Sequence, residues 1–122
     1  MEGTIKTFED LLIWQKSRLL VIDIYKLNIP VKEFSFRDQI QRASVSIMNN
    51  IAEGFERMGN KEFKKFLYIA KGSCGEVRSM LYLALDLNYI TQNDFEKLIS
   101  NTVEISRMIS SLIKKCNSSK DF

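Results

Sequence analysis

Four stretches of this chain carry apolar residues at alternating spacings of three and four, a rhythm that suits helices packed side by side and little else. The third stretch has the longest seam: Phe63, Leu67, Ala70, Cys74, Val77, Leu81 and Ala84. The second reads Phe36, Ile40, Ala43, Ile47, Asn50 and Gly54, and the fourth Phe95, Leu98, Thr102, Ile105, Ile109, Leu112 and Cys116. No stretch alternates with a period of two, so strands are not expected. A single proline, Pro30, and five glycines leave the helices few interruptions. Short connections make successive helices antiparallel neighbours. The expected fold class is therefore all-α, an antiparallel up-down-up-down four-helix bundle. It forms one domain, 1–122, with helices at about 8–27, 36–53, 61–87 and 92–115.

Residues that satisfy free helix-end amides set the boundaries. Thr7 with Asp10, Ser35 with Asp38, and Thr91 with Asp94 read as N-terminal caps, and Asn60 opens the third helix. Gly54 is expected to close the second helix in the left-handed conformation. The tail from Asn117 to Phe122 reads as a frayed end.

The first helix is apolar almost all round. Phe8, Leu12, Leu19 and Ile22 form one stripe; Ile13, Leu20, Ile24 and Leu27 a second; Leu11, Trp14, Val21 and Tyr25 a third. A helix in a lone small bundle keeps a solvent face, so the surplus points to a partner surface and to self-association. The expected interface comprises Leu11, Trp14, Val21 and Tyr25, with Tyr68, Gly72 and Gly75 from the third helix. A mid-helix glycine costs about 1 kcal/mol relative to alanine. Gly72 and Gly75, with Ser79 beside them, therefore imply tight helix packing within or between subunits.

Several chemistries are disfavoured. The chain has no histidine, the usual base or ligand of serine, cysteine and metal hydrolases, and the Glu-x-x-His ligand set of di-metal bundles. Cys74 and Cys116 lie on apolar stripes, where a free thiol packs as a small hydrophobe. Gly72-Ser73-Cys74-Gly75 lies in mid-helix with no strand before it, unlike a phosphate-cradling loop. Gln39, Arg42, Ser46, Asn50 and Glu53 form a polar line on the second helix, which reads as a hydrogen-bonded network in preference to an Arg42–Glu53 catalytic pair. No enzyme activity and no cofactor or metal are expected. The N-terminus lacks a signal-peptide pattern and no apolar run suits a bilayer, so a cytoplasmic protein without membrane contact is expected.

Charge is organised in one place. The net charge is only +3, yet between Arg57 and Arg78 six basic residues face two acidic ones. They are Arg57, Lys61, Lys64, Lys65, Lys71 and Arg78. Lys64, Tyr68, Lys71, Gly75, Arg78 and Tyr82 share a stripe on which cations can track phosphates and tyrosines stack bases. The same stripe also reads as a solvated face whose tyrosines pack at an interface. Arg42 is a further candidate contact.

Three clusters resemble those of the 23S ribosomal RNA intervening-sequence protein family of bacterial four-helix bundles. They are residues 8–16 (FEDLLIWQK), residues 39–47 (QIQRASVSI) with 50–54 (NIAEG), and the third-helix set Lys61-Glu62-Phe63, Phe66-Leu67, Ile69-Ala70, Gly72-Ser73 and Glu76. The resemblance spans about residues 8 to 90. It implies a homopentamer and an association with ribosomal RNA genes. A related accessory protein of diversity-generating retroelements is a basic pentameric barrel that binds nucleic acid. The resemblance carries no catalytic residues. Gln41 stands where arginine is common, Ser35-Phe36 where Gly-Leu is common, and Met48-Asn49 where Pro-Ser is common. The function expected is a non-enzymatic homo-oligomer that binds RNA or another nucleic acid through its basic face. A protein-interaction scaffold is the alternative.

Overall fold

A computed structural model describes residues 5–118. Within them the chain is all-helical, with no strand. A 3-10 turn at Phe8–Asp10 leads into α1 (Leu12–Tyr25), followed by α2 (Phe34–Glu56), α3 (Asn60–Asp86) and α4 (Gln92–Asn117). Each helix packs on two others: α1 on α2 and α4, and α3 on α2 and α4. The diagonal pairs, α1 with α3 and α2 with α4, make no close backbone approach and meet only through core side chains.

The periodic seams become the core. Every α3 seam residue is buried, from Phe63 to Ala84. Ile40, Ile47 and Ile51 of α2 meet Leu98, Ile105 and Ile109 of α4 and Ile13, Leu20 and Ile24 of α1 in one cluster. Each such side chain contributes about 1.5–3 kcal/mol through burial. Ile29 and Ile90, from the two longer connections, join the same cluster. Three polar residues share the interior, each bonded within its own helix. Ser17 Oγ donates to Ile13 O at 2.7 Å, Ser44 Oγ to Gln41 O at 2.8 Å, and Thr102 Oγ1 to Ile99 O at 2.8 Å.

Two expectations about helix starts hold. The Asp10 carboxylate accepts the backbone N–H groups of Lys6 and Thr7, both at 3.1 Å. Those bonds, Lys6 first, hold its pKa below the ordinary carboxylate value. Thr91 Oγ1 accepts from Asp94 N at 3.1 Å. Other boundaries move. The first helix begins at Leu12, because residues 8–10 form the tighter turn. Ser35 and Asn60 lie inside their helices, behind Glu33 and Gly59, which occupy the capping positions. The α4 helix runs on to Asn117; the rest of the expected frayed tail lies beyond Ser118, outside the described residues.

Gly54 does not close α2. It is buried within the helix, where an added Cβ would stand 2.5 Å from the Cβ of Phe66 on α3. Its missing side chain sets how closely the two helices approach. The left-handed residue is Met58 (φ 60), beyond the end of α2, and its counterpart after α3 is Asn88 (φ 61). Asn88 belongs to a Schellman-type end, with Tyr89 N bonded to Ala84 O at 2.8 Å and Asn88 N to Leu85 O at 3.0 Å. Asn50 also moves off the central seam, where Ile51 takes the core position. Asn50 Nδ2 donates to Ser46 O (2.8 Å) and Ser46 Oγ (3.0 Å), and Ser46 Oγ bonds Ser73 Oγ of α3 at 2.8 Å.

Cross-helix pairs mark the levels. Lys64 meets Asn117, Lys71 meets Ser106, Cys74 meets Thr102, and Tyr82 stacks edge-on with Phe95. Lys16 pairs with Glu104, and Asp23 with Lys97. Phe55 packs on Phe63, and Phe36 on Tyr89.

Two substitutions test the helix ends. Gly54→Ala should lower stability in urea unfolding by about 1–3 kcal/mol, despite alanine's better helix propensity, because the Phe66 Cβ is fixed to its own backbone. An unchanged midpoint would mean that α2 and α3 can part freely. Met58→Gly should raise stability by about 1 kcal/mol, by relieving a left-handed L-residue.

Candidate functional site

The buried seam fixes the rotation of α3 and so decides where its cations stand. Lys64, Lys71 and Arg78 recur every seven residues, about two turns, along the border with α4. Lys64 Nζ donates to Asn117 Oδ1 at 2.9 Å and Lys71 Nζ to Ser106 Oγ at 3.2 Å. Both acceptors are neutral, so each ammonium keeps its full charge. Arg78 is exposed. Among the described residues no carboxylate lies within ion-pair distance of these three.

The remaining predicted cations separate from this row. Arg42 Nε bonds Asp38 at 2.8 Å one turn back on α2. Arg57 bridges Glu53 at 3.1 Å and Glu62 at 3.6 Å, and its guanidinium stacks on Phe66 at 5.0 Å. Lys65 pairs with Glu62 at 3.2 Å. Exposed ion pairs are worth little in stability. Here they matter because they offset positive charge at the α2–α3 corner. Lys61 is exposed at the start of α3, apart from those pairs. Arg42 and Glu53 do not meet: they stand about three turns apart on α2, and pair with Asp38 and Arg57 instead.

Two basic residues escaped the sequence reading. Arg107 and Lys114 are exposed on α4, again seven residues apart, with no carboxylate in reach among the described residues. Their repeat matches that of the α3 row, and that shared spacing was the signal available. With Lys64, Lys71 and Arg78 they form a strip on the two helices that holds no ion pair among the described residues.

Burial pushes the Cys74 thiol up to about 11 from its ordinary 9.0, while Arg78 and Lys71 pull it down. The two cations thus act on a group at the α3–α4 border. Cys74 Sγ donates to Thr102 O at 3.1 Å. Burial also raises the Cys116 thiol, against Lys64. Both cysteines are free and buried.

The expected self-association surface changes composition. Leu11 is only 5% exposed and belongs to the core, because the chain turns inward after residues 8–10. Trp14 and Val21 are half-buried; Trp14 packs against the core and stacks edge-on with Phe8 at 5.1 Å. Tyr25 and Tyr68 are exposed as expected. The side of α1 open to water holds Leu12 (55% exposed), Leu19 (60%) and Ile22 (39%), which the interface prediction omitted. Ile13, Ser17, Leu20 and Ile24 follow the 4-3-4 rhythm and take the inward side, so applying that rhythm to α1 would have found the outer stripe. Gly72 and Gly75 do not pack tightly within the subunit. A Cβ at either would meet nothing within 4 Å.

These features define a small all-helical protein with an ion-pair-free basic strip and uncovered apolar surface on two helices. The family model described as 23S rRNA-intervening sequence protein matches residues 9–111, and the chain belongs to that family. A crystal structure of a protein of unknown function from the S23 ribosomal protein family of Bacteroides thetaiotaomicron VPI-5482 is similar to it. The two are 28% identical, with a TM-score of 0.78, over 84% of this chain and 99% of the other. No curated protein matches the chain. No helix among the described residues is long and apolar enough to cross a membrane.

Native protein at pH 8 should resist a thiol reagent at both cysteines and react at both once denatured. Fast labelling of the folded protein would show that burial does not protect Cys74. Stability should also fall as pH rises from 9 towards 11, because the unfolded thiol ionises first.

Proposed function

We propose that this protein is a non-enzymatic homo-oligomeric bundle that binds RNA or another nucleic acid through phosphates. The row of Lys64, Lys71 and Arg78 carries the reading, because its charge is not offset by neighbouring carboxylates. Successive members stand about 10.5 Å apart along the helix. Cations so arrayed release counterions when they meet phosphates, which gives affinity without sequence preference. Tyr82, exposed on the same stripe, offers a ring face to unpaired bases. Arg107 and Lys114 widen the strip, whereas Arg42, Arg57 and Lys65 contribute less, being paired already.

The bundle is antiparallel, up-down-up-down. The descending order of partners supports this: Lys64 to Asn117, then Lys71 to Ser106, then Tyr82 with Phe95. Its copies form a ring-like homo-oligomer, and family resemblance favours a pentamer. Uncovered leucines and tyrosines support assembly, and a ring would repeat the basic strip on every subunit. The protein acts in the cytoplasm, away from membranes. The same apolar surface also favours a second reading, a protein-interaction scaffold with no nucleic-acid role.

Binding of a labelled structured RNA, followed by anisotropy across salt, separates the two. Affinity should fall steeply with salt, and Lys64→Gln, Lys71→Gln or Arg78→Gln should each flatten the log–log slope by about one unit. Lys65→Gln should change it much less. Absence of binding, or binding indifferent to salt, sinks the nucleic-acid reading and leaves the scaffold.

A further inference from the structure

We infer that copies of this chain join head to tail, with the outer face of α1 on one subunit seated against the outer face of α3 on the next. The inference rests on the homo-oligomer proposed above and names the two surfaces that make it. Half of the twelve large apolar side chains exposed among the described residues fall into two groups: Leu12, Leu19 and Ile22 on α1, and Tyr68, Ile69 and Leu83 on α3. These helices occupy opposite corners and their outer faces point apart, so one subunit cannot cover either face with the other.

At the levels of Arg18 and Lys26 the charges on the two faces are complementary, while the exposed Lys61 and Lys65 lie nearer the start of α3. Arg18 and Lys26 flank the α1 leucines, and neither has a carboxylate partner among the described residues; Arg18 rests over Trp14 at 5.7 Å. Glu76 and Asp86 lie on the outer side of α3, both exposed and likewise without a cationic partner among the described residues. Pairing either face with a copy of itself would oppose like charges, whereas pairing α1 with α3 opposes unlike ones.

Levels along the bundle agree as well. Lys16 stands at Glu104, which lies between the partners of Lys71 and Cys74. Asp23 stands at Lys97, between the partners of Cys74 and Tyr82. A rotation about an axis parallel to the bundle keeps these levels. Leu12 then faces Tyr68 and Ile69, Arg18 faces Glu76, and Lys26 faces the turn that holds Asp86. Leu19 arrives at Gly72 and Gly75, where nothing within 4 Å occupies the space a Cβ would fill. The basic row is turned towards α4, so it stays open beside the joint.

Two disabled subunits, mixed, test the arrangement. Leu19→Glu spoils the α1 face, and Gly75→Leu fills the α3 face without a clash inside the subunit. Each variant should keep its helical circular dichroism yet run as a monomer in light scattering. An equimolar mixture should give a dimer and nothing larger, since one good α1 face then meets one good α3 face. Arg18→Glu should weaken assembly at least tenfold, and Glu76→Arg in the same chain should restore it. If wild type assembles and either variant alone assembles as wild type does, or the mixture stays monomeric, the head-to-tail arrangement is overturned. A monomeric wild type would instead overturn the homo-oligomer reading, and this inference with it.

Discussion

The surfaces of this protein follow from the buried seam of α3. Seven residues from Phe63 to Ala84 are locked between α2 and α4, which leaves the helix no freedom to turn about its axis. Its flank beside α4 is therefore the basic one, and its outer side carries two glycines and the exposed aromatics. The 2.5 Å clearance at Gly54 adds a second lock, because α2 cannot take a side chain there and still lie against Phe66. A bundle held this way presents its charges on fixed lines.

Ion pairing divides the basic residues into two kinds. At the α2–α3 corner, Glu53 and Glu62 lie within reach of Arg57 and Lys65 and offset their charge. Beside α4, the partners of Lys64 and Lys71 are an amide and a hydroxyl, which accept a hydrogen bond without cancelling charge. The division costs the fold little, since exposed pairs contribute under about 1 kcal/mol. Its effect is electrostatic, concentrating uncancelled charge on one border.

The interior is chemically quiet. Ser17, Ser44 and Thr102 spend their hydroxyls on carbonyls of their own helices, so they place polar atoms inside without demanding partners elsewhere. Cys74 and Cys116 sit where burial keeps their thiols protonated. The more connected polar group is the Asn50–Ser46–Ser73 chain, which joins α2 to α3 at one level and suits the setting of register.

The 3-4 rhythm by itself determined the number of helices, their order and nearly every core position of α3, because an inward stripe is a property of local periodicity. Thr91 and Asp10 were legible for the same reason: capping is short-range. The role of Gly54 was not, since a glycine that closes a helix and one that admits a neighbouring helix look alike until Phe66 is placed beside it. Nor could residue spacing show that Leu11, ahead of α1, turns inward, or that Arg57 is paired and Arg78 is not among the described residues. Those distinctions depend on side chains from other helices arriving within a few ångströms, and only packing in three dimensions decides which ones arrive.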